Sequence, residues 1–220
     1  MSVNKEKYLE LLKELGDRAV LVAVSKTKPA TDIQELYDLG QRDFGENYVQ
    51  ELVDKAAELP QDIRWHFIGH LQSNKVKYLA PFVHLVHGVD SASLLKEINK
   101  QAEKTNRVID CLLQVHIAQE ETKFGFDHQE LEQLDVSGLN NMAIRGMMGM
   151  ASFSNHTEIV RQEFNILKQL FDKYNGKFGE RHAFTILSMG MSGDYPVALA
   201  EGSTMIRVGS LLFGERNMKH

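Results

Sequence analysis

The chain has 220 residues, of which 43% are hydrophobic and 25% charged, a composition typical of an ordinary globular protein. With 30 acidic and 25 basic residues the net charge is -5, which argues against nucleic acid or an anionic membrane as the main partner. The single cysteine, Cys111, excludes a disulfide within the chain and suits a reducing compartment.

The amino terminus has the pattern of an amphipathic helix rather than of a signal peptide. Tyr8, Leu11, Leu12 and Leu15 fall on one helical face among lysines and glutamates. No apolar stretch approaches the roughly 20 residues that cross a bilayer. We therefore predict a cytoplasmic protein without a membrane partner.

Short apolar or aromatic runs, separated by segments of helical period, recur along the rest of the chain. We predict strands at 20–25, 42–45, 65–69, 83–87, 108–115, 143–147, 184–189 and 204–208. We predict helices at 31–39, from Asn47, at 72–80, from Ser91, at 127–134, 155–173 and 193–201, and in a short piece after Gly209. Asn47 is interpreted as an N-cap, and Asn155 with Glu158 as a capping-box-like start.

This alternation predicts one (β/α)₈ TIM barrel over residues 1–220, with an extra amino-terminal helix. A doubly wound open sheet is the alternative architecture. In a barrel of this kind the active face is built from the carboxyl ends of the strands, so residues at those ends carry most of the functional information.

Lys26 ends the apolar run Val20-Leu-Val-Ala-Val-Ser-Lys26, at the carboxyl end of the first predicted strand. Strand alternation places it on the same side as Val22 and Val24. A desolvated amine loses part of its preference for charge, and the neutral form attacks carbonyls, which is Schiff-base chemistry. The alternative is a lysine whose head group simply reaches water. Lys28 has the same parity, and we treat it as an electrostatic helper.

Two glycine-bearing turns, 187–194 and 202–210, follow the seventh predicted strand and flank the eighth. A phosphate is often held in this region of the fold, where glycine lets the backbone approach the anion. The predicted phosphate donors are the hydroxyls of Ser188 and Ser210 and the amides of Met189 and Gly209. Turn formation alone is the alternative explanation for these residues.

Arg207 is a charge inside the apolar strand Met205-Ile-Arg-Val-Gly209. Either it pairs with an acidic side chain inside the barrel or it donates to a nitrogen or phosphate of a ligand. A Schiff-base lysine, a phosphate cradle and an arginine near a ring nitrogen are together the components of a pyridoxal phosphate site.

A series of segments extends this interpretation along the chain. They are Ala23-Val-Ser-Lys-Thr-Lys-Pro29, Phe44-Gly-Glu-Asn-Tyr-Val-Gln-Glu51, Trp65-His-Phe-Ile-Gly-His-Leu-Gln-Ser-Asn-Lys75, Arg145-Gly-Met-Met148, Leu187-Ser-Met-Gly-Met-Ser192, and Gly202-Ser-Thr-Met-Ile-Arg-Val-Gly209 with Phe213-Gly214. In this order they resemble the YggS/PROSC family of pyridoxal phosphate homeostasis proteins, whose barrel is like the amino-terminal domain of alanine racemase.

The resemblance implies a role for each candidate residue. Lys26 would carry pyridoxal 5'-phosphate as a Schiff base, Arg207 would face the pyridine nitrogen, and Asn47 would lie near the ring. The phosphate would be held by Ser188, Met189, Gly209 and Ser210. A permanent cation at the ring nitrogen disfavours its protonation, which weakens the cofactor as an electron sink.

The resemblance further implies a carrier or regulator of pyridoxal phosphate supply without established catalytic turnover. A racemase takes its second base from a separate β domain, and this chain ends soon after its eighth predicted strand. We expect a monomer that passes the cofactor to pyridoxal phosphate-dependent apo-enzymes. The alternatives are a racemase-like enzyme acting on amino acids, with Tyr48, Tyr195 or a histidine as base, and a barrel that binds a phosphorylated metabolite without covalent chemistry.

No metal site is predicted from the nine histidines. His84 and His87 lie three apart on a predicted strand and are expected to face opposite sides, and no His-Glu-x-x-His motif is present. Lys123 also follows a predicted strand, and its role is left open.

Overall fold

The chain closes into a barrel of parallel strands, in the order β1 to β8, with β1 paired to β8. The computed structural model describes residues 3–118, 124–154 and 156–214. The strands are β1 Val20–Val24, β2 Asp43–Glu46, β3 Arg64–Phe67, β4 Leu85–Val89, β5 Ile109–Gln114, β6 Met142–Met148, β7 Ile186–Ser188 and β8 Met205–Val208. The predicted (β/α)₈ barrel is therefore confirmed, and the open-sheet alternative is wrong.

A helix follows each strand, and one more precedes the first strand, as predicted. The helices are α1 Lys5–Leu15, α2 Ala30–Asp38, α3 Val49–Glu58, α4 Val76–Leu79, α5 Ala92–Lys104, α6 His128–Gln133, α7 Thr157–Tyr174, α8 Tyr195–Ala200 and α9 Ser210–Phe213. Short 3₁₀ turns lie at Ser73–Lys75 and Glu180–His182. Within the described residues no helix is both long and apolar enough to span a membrane.

The extra helix α1 is anchored by its apolar face. Tyr8, Leu11 and Leu15 are buried, and the backbone amide of Asn4 donates to the carbonyl of Leu212 at 2.7 Å. Asn4 also caps the helix, because its side chain accepts from the amide of Lys7. The amino terminus is thereby joined to α9, which follows the last strand.

Helix starts agree only in part with the sequence signals. Ser91 caps α5 as expected, and Asp127 forms a capping box with Glu130 at α6. The interpretation of Asn47 as an N-cap is wrong, since Tyr48 holds that position of α3. Helix α7 has His156 at its N-cap, and the predicted cap Asn155 lies outside the described residues, as does Lys123.

Two apolar clusters divide the core. Residues from five different strands contact one another in the smaller cluster, which is possible only inside the barrel: Val22, Leu85, Leu112, Met148 and Met205. The larger cluster joins the outer faces of the strands to the helices and includes Phe44, Leu113 and Phe164. This in-and-out alternation is typical of a closed barrel.

Candidate functional site

A cavity of about 310 Å³ lies at the carboxyl ends of the strands. Its volume is at the lower end of the range for small-molecule sites. Of the predicted site residues, the cavity is lined by Lys26, Asn47, Arg207, Gly209 and Ser210. The structure therefore brings five of the seven candidates together at the face where this fold places its chemistry.

Lys26 lies two residues beyond β1, half-buried, in a turn whose neighbouring residues are held from outside the barrel. The carbonyl of Ser25 accepts from Lys55 Nζ at 2.9 Å, and the amide of Thr27 donates to Glu51 Oε1 at 2.6 Å. Thr27 itself has φ of 63°, in the left-handed region that non-glycine residues seldom adopt. These contacts fix the backbone on both sides of the candidate nucleophile.

A buried ion-pair cluster, which the sequence interpretation missed, makes these contacts. Lys55 Nζ lies 2.7 Å from Glu46 Oε1 and 2.6 Å from Glu51 Oε1, and Ser25 Oγ donates to Glu46 at 2.6 Å. Burial raises the pKa of Glu46 although Lys55 and Ser25 oppose the shift. The spacing of Glu51 and Lys55 on one helix was the only available signal in the sequence.

Arg207 is 4% exposed, and its partners are neutral. Nη1 donates to Ser188 Oγ at 2.6 Å, and Nη2 donates to the carbonyl of Gly149 at 3.1 Å. The ion pairs of the described residues do not include Arg207, so the internal salt bridge that the sequence left open is wrong. Burial lowers its pKa to about 10, so the side chain remains a cation at neutral pH. A buried cation whose hydrogen bonds run to neutral groups is suited to an incoming acceptor.

Ser188 and Met189, two of the predicted phosphate donors, do not line the cavity. Both are fully buried beneath it, and the amide of Met189 donates to the carbonyl of Met205 at 3.2 Å. Ser188 Oγ lies between Arg207 and His87. Strand β7 ends at Ser188, and the positive φ of Gly190 turns the chain, so that the next segment, 191–193, reaches the cavity instead.

Ser192 and Gly193 lie on the cavity surface, where the sequence had placed Ser188 and Met189. Both line the cavity with Gly209 and Ser210, and the amide of Gly209 lies 3.3 Å from Ser192 Oγ. The cavity surface in this region is therefore built from serine and glycine, the residue types that were predicted. The register of the turn brings Ser192 to the cavity, four residues further along the chain than Ser188.

Asn47 follows β2 and presents a buried Oδ1 that has no hydrogen-bond partner among the described residues. Its backbone is packed tightly against Gly69, two residues beyond β3, because a Cβ at Gly69 would lie 2.3 Å from the Asn47 carbonyl oxygen. Buried acceptors are normally satisfied. An unsatisfied one at the edge of a cavity indicates a place for a ligand donor.

The histidines converge more than the sequence suggested. The ring of His66 lies 5.4 Å from that of His84 and 5.1 Å from that of His87, so the expectation that His84 and His87 face opposite sides is wrong. His84 precedes β4, where strand alternation does not apply. Asp43, His66 and His84 bring possible ligand atoms within 4.8 Å, but Arg64 already pairs with the Asp43 carboxylate and disfavours a cation there.

One family of barrels matches this closed barrel, with Lys26 at its mouth, over nearly the whole chain. The family model for the alanine racemase N-terminal domain matches residues 5–217. Alanine racemase from Bartonella henselae, with covalently bound pyridoxal phosphate, superposes with a TM-score of 0.74 over 96% of this chain and 60% of the racemase. At 16% identity this likeness concerns the fold alone.

Relatives with higher sequence identity show to which family within this class the chain belongs. A pyridoxal phosphate homeostasis protein from Aquifex aeolicus (strain VF5) is 43% identical over 201 residues, which cover 90% of this chain and 87% of the relative. The pyridoxal phosphate homeostasis protein of Escherichia coli (strain K12) is 38% identical over 207 residues, which cover 91% of this chain and 87% of the relative. PipY of Synechococcus elongatus PCC7942, solved with PLP bound, superposes with a TM-score of 0.86 at 37% identity over 95% of this chain and 99% of PipY. The chain belongs to the family of pyridoxal phosphate homeostasis proteins.

Proposed function

We propose that this protein binds pyridoxal 5'-phosphate in the mouth cavity as a Schiff base on Lys26 and acts as a carrier or regulator in the homeostasis of this cofactor. The observation that carries the proposal is one cavity that contains both a lysine and a buried arginine, whose hydrogen bonds run to a hydroxyl and a backbone carbonyl. The names of the relatives and the PLP-bound PipY support it.

The residues of the cavity fit the chemical groups of the cofactor. The amine of Lys26 matches the aldehyde, the guanidinium of Arg207 matches the pyridine nitrogen, and Asn47 Oδ1 supplies an unpaired acceptor. The cofactor, when bound, supplies an aldehyde and an electron-withdrawing ring. Arg207 donates and is charged at neutral pH, so it favours an unprotonated ring nitrogen and holds the cofactor without preparing it for carbanion chemistry.

For the phosphate we propose Ser192, Gly193, Gly209 and Ser210. All four line the cavity, the amide of Gly209 lies 3.3 Å from Ser192 Oγ, and glycine permits a close approach of the anion. Ser188 and Met189 act beneath this surface, through their contacts with Arg207 and the strand backbone.

The racemase-like alternative needs a base beside the substrate carbon, and neither predicted tyrosine suits that role. Tyr195 is buried, and its hydroxyl contacts Glu14 Oε2 at 3.1 Å, with burial and then Glu14 raising its pKa. Tyr48 is 55% exposed and does not line the cavity. We therefore propose a role without catalytic turnover. Rapid, Lys26-dependent deuterium exchange at the α carbon of amino acids would contradict it.

The decisive experiment is borohydride reduction of the protein loaded with pyridoxal 5'-phosphate, followed by peptide mass spectrometry. We expect one modified lysine, Lys26, with labelling lost in Lys26→Ala and retained in the matched control Lys28→Ala. Lys28 lines the same cavity, but its Nζ already donates to the carbonyl of Phe213 at 2.6 Å. Absence of any labelled lysine would refute covalent binding, and labelling at Lys28 in the Lys26→Ala variant would refute the residue assignment alone.

Three further statements stay predictions from the sequence. They are the cytoplasmic location, the monomeric state and the transfer of the cofactor to apo-enzymes. Gel filtration with light scattering tests the second. Restoration of activity to an apo-enzyme, with the two proteins mixed or separated by a dialysis membrane, tests the third.

A further inference from the structure

A continuous chain of polar side chains crosses the interior of the barrel. Arg207 Nη1 lies 2.6 Å from Ser188 Oγ, which lies 3.0 Å from His87 Nδ1. His87 Nε2 lies 2.8 Å from His66 Nδ1, and His66 Nε2 lies 2.9 Å from Asp43 Oδ1. All five side chains are less than 10% exposed. We call these five residues the interior polar chain.

The two ends of the interior polar chain belong to opposite mouths of the barrel. Arg207 lines the cavity that contains Lys26. Asp43 is the first residue of β2 and lines a separate cavity of about 740 Å³ with Arg64 and His84. The chain therefore connects the proposed cofactor site to the amino-terminal ends of the strands.

The two end residues of the interior polar chain, Arg207 and Asp43, limit which group donates in each of its hydrogen bonds. Arginine only donates, and a carboxylate only accepts. Hydrogen bonds from Arg64 and His66 outweigh burial and hold the pKa of Asp43 well below its ordinary value, so it is ionised. Burial, followed by the charges of His66 and Arg207, keeps the pKa of His87 well below its ordinary value, so it is neutral.

With these ends fixed, one arrangement satisfies each contact and also gives the hydroxyl proton of Ser188 an acceptor in the chain. His66 donates from Nε2 to Asp43 and accepts at Nδ1 from His87 Nε2. His87 then accepts at Nδ1 from the hydroxyl of Ser188, whose oxygen accepts from Arg207. A doubly protonated His66 would reverse the bond to His87, and the hydroxyl proton of Ser188 would then lack an acceptor in the chain.

This arrangement aligns the dipoles of three neutral groups between a cation and an anion. The acceptor end of each group faces Arg207, and the donor end faces Asp43. In a buried setting, the hydrogen bonds of such a chain polarise and strengthen one another. The alignment explains how Arg207 is tolerated inside the barrel although its own hydrogen-bond partners carry no charge.

We propose that Asp43, His66 and His87 are positioning residues that orient Arg207 and stabilise its charge at the cofactor cavity through Ser188. The proposal rests on the proposed function, because it assigns Arg207 to the cofactor. It predicts that a change at the amino-terminal mouth alters cofactor binding at the other mouth. None of the three residues lines the cofactor cavity.

The first test uses the protein without cofactor and is independent of the proposed function. Imidazole ¹⁵N spectra of the histidine-labelled chain should show His66 and His87 as neutral rings with the proton on Nε2. The signals are assigned by their loss in His66→Phe and His87→Phe. A His87 that carries its proton on Nδ1, or is charged at neutral pH, overturns the assignment of the chain.

The second test measures the Kd for pyridoxal 5'-phosphate and the absorbance spectrum of the bound cofactor. Asp43→Asn should weaken binding by about tenfold, the scale of one lost charge-assisted hydrogen bond, and should shift the spectrum. The control is His84→Phe, which keeps an aromatic ring beside His66 and lies outside the interior polar chain. We expect it to change the Kd by less than about twofold.

A double-mutant cycle separates positioning from a general structural effect. If Asp43 acts through Arg207, the effect of Asp43→Asn on the Kd should vanish in the Arg207→Gln background. Additive effects would overturn the proposal. If Asp43→Asn does not fold, His87→Phe replaces it in the same cycle. A wild-type protein that binds no pyridoxal 5'-phosphate would refute the proposed function, and the ¹⁵N spectra would still decide on the interior polar chain.

Discussion

The substitution Lys55→Met tests how much the contacts of Lys55 stabilise the turn that carries Lys26. Methionine keeps most of the side-chain volume and removes the charge that contacts Glu46, Glu51 and the carbonyl of Ser25. The Lys55 and Glu46 side chains are 8% and 0% exposed. Removing one partner of a buried ion pair costs ~3–5 kcal/mol, because the remaining charge has no counter-ion.

Proton uptake by Glu46 limits this loss. A carboxyl group with the ordinary pKa of 4.5 takes up a proton at pH 7 for about 3.4 kcal/mol. The lost contacts of Lys55 with Ser25 and Glu51 add ~1–2 kcal/mol. We therefore expect Lys55→Met to lower the free energy of unfolding by about 4–5 kcal/mol at pH 7.

The pH dependence of this loss follows from the raised pKa of Glu46. A carboxyl whose folded pKa exceeds its unfolded value contributes stability below the unfolded pKa and loses it as the pH rises through the folded pKa. Without Lys55 the folded pKa of Glu46 rises further. At pH 5 the cost of protonation falls to about 0.7 kcal/mol, so the total loss should shrink to ~2–3 kcal/mol.

Urea unfolding at pH 5 and pH 7, followed by circular dichroism, measures both losses. The control is Lys100→Met, since Lys100 is 61% exposed and lies 3.8 Å from Glu97. We expect it to cost less than about 0.5 kcal/mol at either pH. The reasoning is refuted if Lys55→Met costs no more than this control at pH 7, or if its cost is the same at both pH values.

Three further predictions concern single positions. Gly69→Ala should destabilise the protein by ~1–3 kcal/mol in urea unfolding and weaken pyridoxal 5'-phosphate binding, because its Cβ would meet the Asn47 carbonyl oxygen at 2.3 Å; an unchanged midpoint would contradict this. Cys111 is fully buried, and burial raises the pKa of its thiol, so a thiol reagent should label it only on unfolding; rapid labelling of the native protein would contradict this. Phe153 is 100% exposed, so Phe153→Ser should change the free energy of unfolding by less than about 0.5 kcal/mol; a larger loss would contradict this.

The barrel was predictable from the sequence because strands of a parallel sheet are buried on both faces and form short apolar runs. The strand ends were less predictable. Strand β4 was predicted at 83–87 and spans Leu85–Val89, since Val83 is buried but precedes the first ladder pair. Burial alone marks an apolar residue, and it does not show whether that residue is hydrogen-bonded to a neighbouring strand.

The site was predictable where a residue type is unusual for its place in the fold. Lys26 at a strand end and Arg207 inside a strand both line the cavity. Ser188 is a small residue in a serine- and glycine-rich segment. The sequence there did not show whether its side chain lies on the cavity surface or is buried beneath it. The register places Ser188 beside Met205, two residues before Arg207, where its hydroxyl meets the guanidinium rather than the cavity.

The interior polar chain could not be predicted from the sequence, because its five residues come from five strands and meet only when the barrel closes. A histidine in a strand is compatible with a core position, a ligand site or the surface. Register decides between these: His66 pairs with Leu85, which brings its ring to His87 across the β3–β4 ladder. A charge buried inside a barrel costs more free energy than apolar packing unless the polar groups connected to it all have hydrogen-bond partners. If the proposal holds, Arg207 depends on a carboxylate at the opposite mouth, and a substitution at Asp43 should change how Arg207 binds a ligand.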